Sequence, residues 1–127
     1  MADGYFVMVV EDDKLCAALL KHMLSRSGYQ VLVVEDGLAA QDKINRLAQP
    51  PHLLLLDLML PFIDGYHLLR QIRSKPTWAN TPVIVLSAKT QEPDITKAFD
   101  LGASDYVTKP FQMGELMARI RSQIKGK

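Results

Sequence analysis

Four short apolar stretches of the sequence are each followed by residues that can take part in chemistry. Glu11 and Asp12 follow the first stretch, Asp57 follows a run of leucines, and Ser87 and Lys109 follow two later stretches. If these stretches are parallel strands, their carboxyl ends meet at one edge of a sheet, where open α/β sheets bind their ligands. Carboxylates at one edge repel each other unless a cation intervenes, and oxygen ligands without nearby histidine or cysteine favour Mg²⁺. A lysine and a hydroxyl beside them can bind a phosphoryl group, so the pattern predicts phosphoryl-transfer chemistry.

The leucine run from Leu53 to Leu56 makes Asp57 the most informative of these residues. Four consecutive leucines indicate a strand that is buried on both faces, and an unpaired carboxylate is strongly unfavourable there. Each residue also has a simpler explanation, because an acidic cluster often only begins a helix, Ser87 could be a cap, and Lys109 could be a solvated loop residue. Their joint occurrence at successive strand ends favours a common site.

Hydrophobic periodicity predicts five strands that alternate with five helices. The strands are expected at 6–10, 31–34, 53–58, 83–86 and 105–108, and the helices at about 14–27, 37–47, 66–75, 93–101 and 113–123. Asp13 and Asp64 are predicted N-caps, and Gly28 and Gly102 are predicted helix ends. The predicted buried stripes comprise Leu15, Leu19, Leu20, Met23 and Leu24 in the first helix, and Met113, Leu116, Met117, Ile120 and Ile124 in the last. The alternation predicts an α/β fold, a doubly wound five-stranded parallel sheet with helices on both faces.

Bulk composition excludes several classes of protein. The 127 residues include 15 basic and 14 acidic side chains, a formal net charge of +1, which gives no reason to expect direct binding to nucleic acid or to an anionic membrane. No apolar run approaches the ~20 residues that a membrane helix needs, and no signal peptide is recognised. The single cysteine, Cys16, lies among apolar positions of the first helix and fits core packing in a reducing cytoplasm. We expect one domain over residues 1–127, located in the cytoplasm.

Over essentially its whole length the sequence resembles the receiver domain of bacterial two-component response regulators, a flavodoxin-like fold. The residues that carry the resemblance are Val9-Val10-Glu11-Asp12-Asp13, Leu56-Asp57-Leu58-Met59-Leu60-Pro61 with Asp64-Gly65, Leu86-Ser87-Ala88, and Gly102-Ala103-Ser104-Asp105-Tyr106-Val107-Thr108-Lys109-Pro110-Phe111.

The resemblance implies a role for each matching residue. Asp57 would accept a phosphoryl group from the phosphohistidine of a sensor kinase or phosphotransfer protein, and the module would not be an enzyme in its own right. Asp12 would be the main Mg²⁺ carboxylate, with Glu11, Asp57 and the Met59 backbone carbonyl as further ligands. Lys109 would bind the phosphoryl group, and its peptide bond to Pro110 would be cis. Ser87 and Tyr106 would form a switch pair that alters the surface of the last two helices.

The last helix is similar to that of receivers that form phosphorylation-dependent homodimers. In that group Asp105 and Asp100 would pair with Arg119 and Arg121. This chain departs from the pattern because Ile95 stands where the group has a basic partner for Glu115. The identity of the output domain or partner protein is not indicated by the sequence.

Three alternatives fit the same fold less well. A flavin-binding electron carrier needs a loop that binds phosphate after the first strand, and Glu11-Asp12-Asp13 would repel phosphate. A phosphohydrolase with an aspartyl nucleophile is expected to have a second aspartate where this chain has Met59. A receiver that acts only as a docking module has no need of the acidic, serine and lysine set.

Overall fold

The computed structural model describes residues 4–125, which form one five-stranded sheet with helices on both faces. All strand pairs are parallel, and their spatial order is β2-β1-β3-β4-β5. The strands are β1 (Phe6–Val10), β2 (Gln30–Val34), β3 (Leu53–Leu56), β4 (Val83–Ser87) and β5 (Asp105–Thr108). The helices are α1 (Lys14–Arg26), α2 (Gly37–Arg46), α3 (Gly65–Ser74), α4 (Glu92–Asp100) and α5 (Met113–Lys125). The predicted fold class is confirmed.

Alternate residues of the central strands pack on opposite faces of the sheet, because successive strand side chains point in opposite directions. On one face Val7, Leu53, Leu55 and Ile84 pack with side chains of α1 and α5. On the other face Met8, Leu54, Leu56 and Val85 pack with side chains of α2, α3 and α4. Burial on both faces explains why these strands are continuous apolar runs, and it leaves only the strand ends for charged groups.

Capping residues set where the helices begin and end. The carboxylates of Asp13, Asp36 and Asp64 accept hydrogen bonds from backbone N–H groups in the first turns of α1, α2 and α3. Gly28 and Gly102 follow the ends of α1 and α4 with φ of 94° and 106°, a left-handed conformation that favours glycine. All predicted helix and strand boundaries lie within two residues of the observed ones.

Two details of the sequence prediction are wrong. β3 ends at Leu56 rather than at residue 58, so Asp57 and Leu58 lie just beyond the strand, although both remain buried. The apolar stripes of α1 and α5 also begin later than predicted, because Leu15 is 85% exposed, Leu19 42% and Met113 46%. Leu15 lies on the opposite side of α1 from the buried Ala17, Leu20 and Leu24 and so faces solvent. Met113 lies in line with the buried residues of α5, but in its first turn, where the side chain leans toward the helix N-terminus.

The predicted domain limits at residues 1 and 127 lie outside the described residues, so a single domain over 1–127 stays a prediction. Within residues 4–125, no helix is both long enough and apolar enough to cross a membrane.

Replacing Gly65 by alanine should lower the free energy of unfolding by about 1–3 kcal/mol. The added Cβ would lie 2.5 Å from the Asp57 carbonyl oxygen and 2.7 Å from the Leu58 Cα atom. Gly114→Ala is the matched control, because its Cβ would meet no heavy atom within 4 Å. Alanine also favours helix over glycine, so this control should be unchanged or more stable by up to about 1 kcal/mol. Equal urea-unfolding free energies for the two variants would contradict the close packing at Gly65.

Candidate functional site

The residues predicted to act together do meet at the carboxyl edge of the sheet. Backbone hydrogen bonds continue the strand pairing beyond the strand ends: Asp57 N–H donates to Val10 C=O at 3.0 Å, and Lys109 N–H donates to Ser87 C=O at 2.9 Å. Glu11 N–H likewise donates to Val34 C=O at 3.0 Å. The main chain at these positions is therefore held as firmly as in the sheet itself.

The Lys109 ammonium joins two of the carboxylates. Its Nζ atom lies 2.6 Å from Glu11 Oε1 and 3.2 Å from Asp57 Oδ2. The remaining oxygens accept backbone N–H groups: Asp13 N–H donates to Glu11 Oε2 at 3.2 Å, and Met59 N–H donates to Asp57 Oδ1 at 3.0 Å. Each oxygen of Glu11 and Asp57 thus has a hydrogen-bond donor, as buried carboxylates require.

A third carboxylate completes the cluster. Glu11, Asp12 and Asp57 each offer one oxygen, and these atoms lie within 4.8 Å of one another. Glu11 is 1% exposed and Asp57 6% exposed, whereas Asp12 is exposed and makes no hydrogen bond or ion pair within the described part of the chain. An oxygen-only donor set that is open on one side suits a hard divalent cation that keeps some of its water.

Burial and charge together alter the proton affinity of this cluster. Burial raises the pKa of the Glu11 carboxyl above its ordinary value of 4.5, although the hydrogen bond from Lys109 opposes the change. Burial by itself would lower the pKa of Lys109, but its hydrogen bond to Glu11 and the nearby charges of Asp57 and Glu11 outweigh burial and raise that pKa. Lys109 is therefore a fixed positive charge at neutral pH.

Ser87 and Tyr106 lie beside this cluster and are linked through the segment after β4. Ser87 is fully buried, and its Oγ atom accepts the Lys89 N–H at 3.2 Å. The Tyr106 hydroxyl donates to the Lys89 carbonyl oxygen at 2.8 Å, and the tyrosine is half-buried. The backbone of Lys89 therefore contacts both members of the predicted switch pair. The Lys109–Pro110 bond is cis, as the resemblance implied.

The comparisons with known proteins agree with this arrangement. A model described as the response regulator receiver domain matches residues 7–121. The chain belongs to the response regulator receiver family. The receiver is 41% identical over 119 residues to the response regulator ArlR of Staphylococcus epidermidis, an alignment that covers 94% of this chain and 52% of that protein. The chain thus spans about half the length of the curated relatives that it matches.

Solved receiver structures are similar in fold. The receiver domain of a Francisella response regulator has a TM-score of 0.87 and 34% identity, and the alignment covers 96% of this chain and 98% of that one. The receiver domain of a sensor histidine kinase from Pseudomonas aeruginosa has a TM-score of 0.87 and 32% identity, with the same coverage. That structure holds a magnesium ion coordinated in its active-site cleft. This chain is therefore a receiver of two-component signalling with a phosphorylation site, a phosphoacceptor module by type.

Two residues of the receiver that hold its helices in place were not anticipated from the sequence. Tyr66 and Arg73, both on α3, make hydrogen bonds to residues at the two ends of α4. The sequence position of Arg73 does indicate a buried role, because it lies four residues after buried Leu69 and so on the apolar face of its helix. The sequence position of Tyr66 gives no such indication, because aromatic residues are common in the first turn of a helix.

Two smaller expectations concern α1 and α5. Cys16 packs against the core, and burial raises the pKa of its thiol to about 12, so the thiol stays protonated. Within one copy, Arg119 pairs with Asp105 at 2.9 Å and with Glu115 at 3.0 Å. Among the described residues of one copy, no ion pair joins Asp100 to Arg121, and the pairs expected in a homodimer stay a prediction.

Replacing Lys109 by methionine should destabilise the metal-free protein at pH 7 by on the order of 3 kcal/mol, because a buried carboxylate loses its cation. The loss should shrink as the pH falls toward 4. Glu11 already has a raised pKa, so the folded state takes up its proton before the unfolded state does, and acid then favours the folded state.

The measurement is urea unfolding of parent and variant in buffer with EDTA at several pH values. Lys21→Met is the matched control, because Lys21 is an exposed residue of α1 outside the ion pairs of the described residues, and it should change stability by less than about 0.5 kcal/mol. A Lys109→Met protein as stable as the Lys21→Met protein at pH 7 would show that the ion pair is not needed.

Proposed function

We propose that Asp57 is the phosphoacceptor of this receiver and that its donor is the phosphohistidine of a cytoplasmic sensor kinase or phosphotransfer protein. The observation that carries the proposal is the position of the Lys109 ammonium, 3.2 Å from Asp57 Oδ2 in a cluster of three carboxylates. In the transfer, an Asp57 carboxylate oxygen forms a bond to phosphorus while the phosphorus–nitrogen bond of the donor breaks. The bonding pair stays on the imidazole nitrogen, which then takes up a proton.

The surroundings of the three carboxylates distinguish their roles. Glu11 is the most buried of them and makes the shorter bond to the Lys109 ammonium, 2.6 Å against 3.2 Å for Asp57, which suits a fixed partner for Lys109. Asp12 is exposed and has no lysine beside it. Asp57 follows β3, the middle strand of the sheet, is less buried than Glu11 and has the Lys109 ammonium 3.2 Å from its Oδ2 atom, so it is the carboxylate whose phosphoryl group Lys109 can neutralise.

The same residues would hold Mg²⁺. Asp12 and Asp57 would be its carboxylate ligands, Glu11 would lie alongside, and the Met59 carbonyl would be a further ligand. When bound, the ion supplies positive charge next to the oxygens of the phosphoryl group. The three carboxylates carry more negative charge than Lys109 neutralises, which supports a divalent cation here.

We further propose that Ser87 and Tyr106 transmit phosphorylation to α4 and α5. The Ser87 hydroxyl would turn toward the phosphoryl group and leave the Lys89 N–H, and Tyr106, whose hydroxyl donates to the Lys89 carbonyl, would move with that segment. A cavity of about 310 Å³ lies next to Tyr106 between α4, β5 and α5, and it provides room for such a change.

That face would be the output surface of the receiver. Ile95, Phe99, Glu115 and Arg119 line the cavity there. Phosphorylation-dependent pairing of two copies through this face stays a prediction. In receivers that pair this way, Glu115 is expected to bond to a basic residue at the position of Ile95. Here Ile95 has no charge and Glu115 pairs with Arg119 of its own helix, so pairing of two copies would need a different partner for Glu115.

Replacing Asp57 by asparagine should abolish phosphorylation by acetyl phosphate with Mg²⁺, because asparagine lacks the nucleophilic carboxylate oxygen. Intact-mass measurement should detect one added phosphoryl group on the parent and none on Asp57→Asn. Asp64→Asn is the matched control, since asparagine preserves the N-cap of α3 and the residue lies outside the carboxylate cluster. Phosphoryl gain by Asp57→Asn at the parent's rate would overturn the assignment.

Replacing Asp12 by asparagine should remove the stabilisation of the protein by Mg²⁺. At ten times the Kd, a bound ion raises the free energy of unfolding by about 1.4 kcal/mol, which a thermal-denaturation titration detects. Asp13→Asn is the control, because Asp13 caps α1, lies outside the cluster, and asparagine caps equally well. In metal-free buffer Asp12→Asn should be at least as stable as the parent, since one of three like charges is gone. Equal Mg²⁺ responses of the two variants would exclude Asp12 as a ligand.

A further inference from the structure

Helix α4 is held by few buried side chains. Ala98 is its one buried residue, whereas α1 buries Ala17, Leu20, Met23 and Leu24. Gln91, at the N-cap of α4, makes no side-chain capping bond, and Phe99 is 46% exposed. A helix with so little apolar burial has a position that depends on its remaining polar contacts. In α4 these contacts come chiefly from α3.

Tyr66 of α3 contacts the first turns of α4. Its hydroxyl donates to the Asp94 carbonyl oxygen at 3.1 Å, and the Lys97 ammonium lies 4.4 Å from the centroid of its ring. The residue before it, Gly65, packs against the Asp57 backbone so closely that a Cβ would not fit, and Gly65 N–H donates to Leu58 C=O at 3.0 Å. Tyr66 is therefore fixed relative to the backbone of the phosphoacceptor.

Arg73, at the other end of α3, holds the opposite end of α4. Its guanidinium donates to the carbonyl oxygens of Gly102 at 2.9 Å, Ala79 at 3.1 Å and Thr81 at 2.7 Å. It also lies 3.4 Å from Ser104 Oγ, which accepts the Val83 N–H at 3.0 Å. No carboxylate among the described residues lies within 4.0 Å of it. The bonds to Ala79 and Thr81, in the loop after α3, fix the guanidinium, and the bonds to Gly102 and Ser104 join it to the segment that follows α4. This end of α4 is therefore held by an anchored charged donor.

The segment that would respond to phosphorylation joins the Tyr66 end of α4. Lys89 contacts Ser87 through its N–H and Tyr106 through its carbonyl, and its ammonium lies 3.8 Å from Asp94. A movement of Ser87 toward a phosphoryl group would remove the partner of the Lys89 N–H and displace the chain that leads into α4. The first turn of α4 would then leave the Tyr66 hydroxyl, while the last turn keeps Arg73.

We propose that Tyr66 is a positioning residue that holds the first turn of α4 in the unphosphorylated receiver, and that α4 rotates about its Arg73-bound end when this contact is released. The proposal rests on the proposed function, because phosphorylation of Asp57 is what releases the contact. Tyr66 thereby opposes activation and sets how much phosphorylation is needed to move α4.

The experiment compares the full chain with Tyr66→Phe, which keeps the ring and removes the hydroxyl. Tyr5→Phe is the matched control, since Tyr5 lies beside His52 at the amino ends of the strands, away from the carboxylate cluster. Without phosphate analogue, hydrogen exchange of the Asp94 and Ile95 amides, which bond to Gln91 C=O, should be about fivefold faster in Tyr66→Phe, the effect of losing one neutral hydrogen bond. Exchange at Leu101, Gly102 and the β3 amides should match the parent, as should all sites in Tyr5→Phe.

Beryllofluoride with Mg²⁺, as an analogue of the phosphoryl group, then tests the coupling. In the parent, amide shift changes should be large at Asp94 and Ile95 and small at Leu101 and Gly102. Tyr66→Phe should reach half-saturation at about one fifth of the parent's beryllofluoride concentration, because the contact that opposes the change is gone. A purely structural role would speed exchange and leave half-saturation unchanged.

The outcomes separate this inference from the proposed function. Parent-like exchange at Asp94 and Ile95 in Tyr66→Phe, parent-like half-saturation, or shift changes as large at Gly102 as at Asp94 would each overturn the inference. A parent protein that shows no beryllofluoride shifts near Asp57 would instead overturn the proposed function and with it the release step. The exchange comparison still decides in that case whether Tyr66 holds α4.

Discussion

The contact on which the rest of the site depends is the Lys109 ammonium between the carboxylates of Glu11 and Asp57. Glu11 is almost completely buried, and a carboxylate in that position is strongly unfavourable without a cation and hydrogen-bond donors. One lysine does not balance three carboxylates when all are ionised. The remaining negative charge lies at an open edge of the sheet, where it suits a divalent cation. In the function that we propose, a phosphoryl group on Asp57 is neutralised there by the Lys109 ammonium.

The sheet makes this arrangement possible because its central strands have no solvent-facing side. Both faces of β1, β3 and β4 are covered by helices, so charged groups can be accommodated only where the strands end. Parallel strands end at the same edge, and the hydrogen bonds that Asp57 and Lys109 make through their backbones continue the ladder to that edge. The distance between the acidic and basic groups is thus set by sheet geometry rather than by loops.

Helices α3 and α4 are held in contrasting ways. The start of α3 packs on the Asp57 backbone with no space for a side chain at Gly65, whereas α4 buries one residue and depends on polar contacts from Tyr66 and Arg73. Tightly packed elements resist small displacements, and weakly packed elements move at lower cost. The fold therefore fixes the backbone of Asp57 and leaves α4, the helix that we propose responds to phosphorylation, less firmly packed.

The local sequence pattern determined much of the fold of this protein. The apolar runs and the caps at Asp13 and Asp64 were sufficient to predict the fold class and the element boundaries. The residues that follow four of the strands predicted which side chains meet at the carboxyl edge, whereas the roles of Met59 and Tyr106 came from the family resemblance. Tertiary structure decided that Lys109 bonds to Glu11 as well as to Asp57, that Met113 is exposed, and that Tyr66 and Arg73 bond to the two ends of α4. Periodicity reports which face of an element is buried, because burial repeats along the chain. It carries no information on which side chains meet across elements, since those contacts depend on how far each helix extends past the sheet and on which backbone carbonyls its neighbours leave within reach.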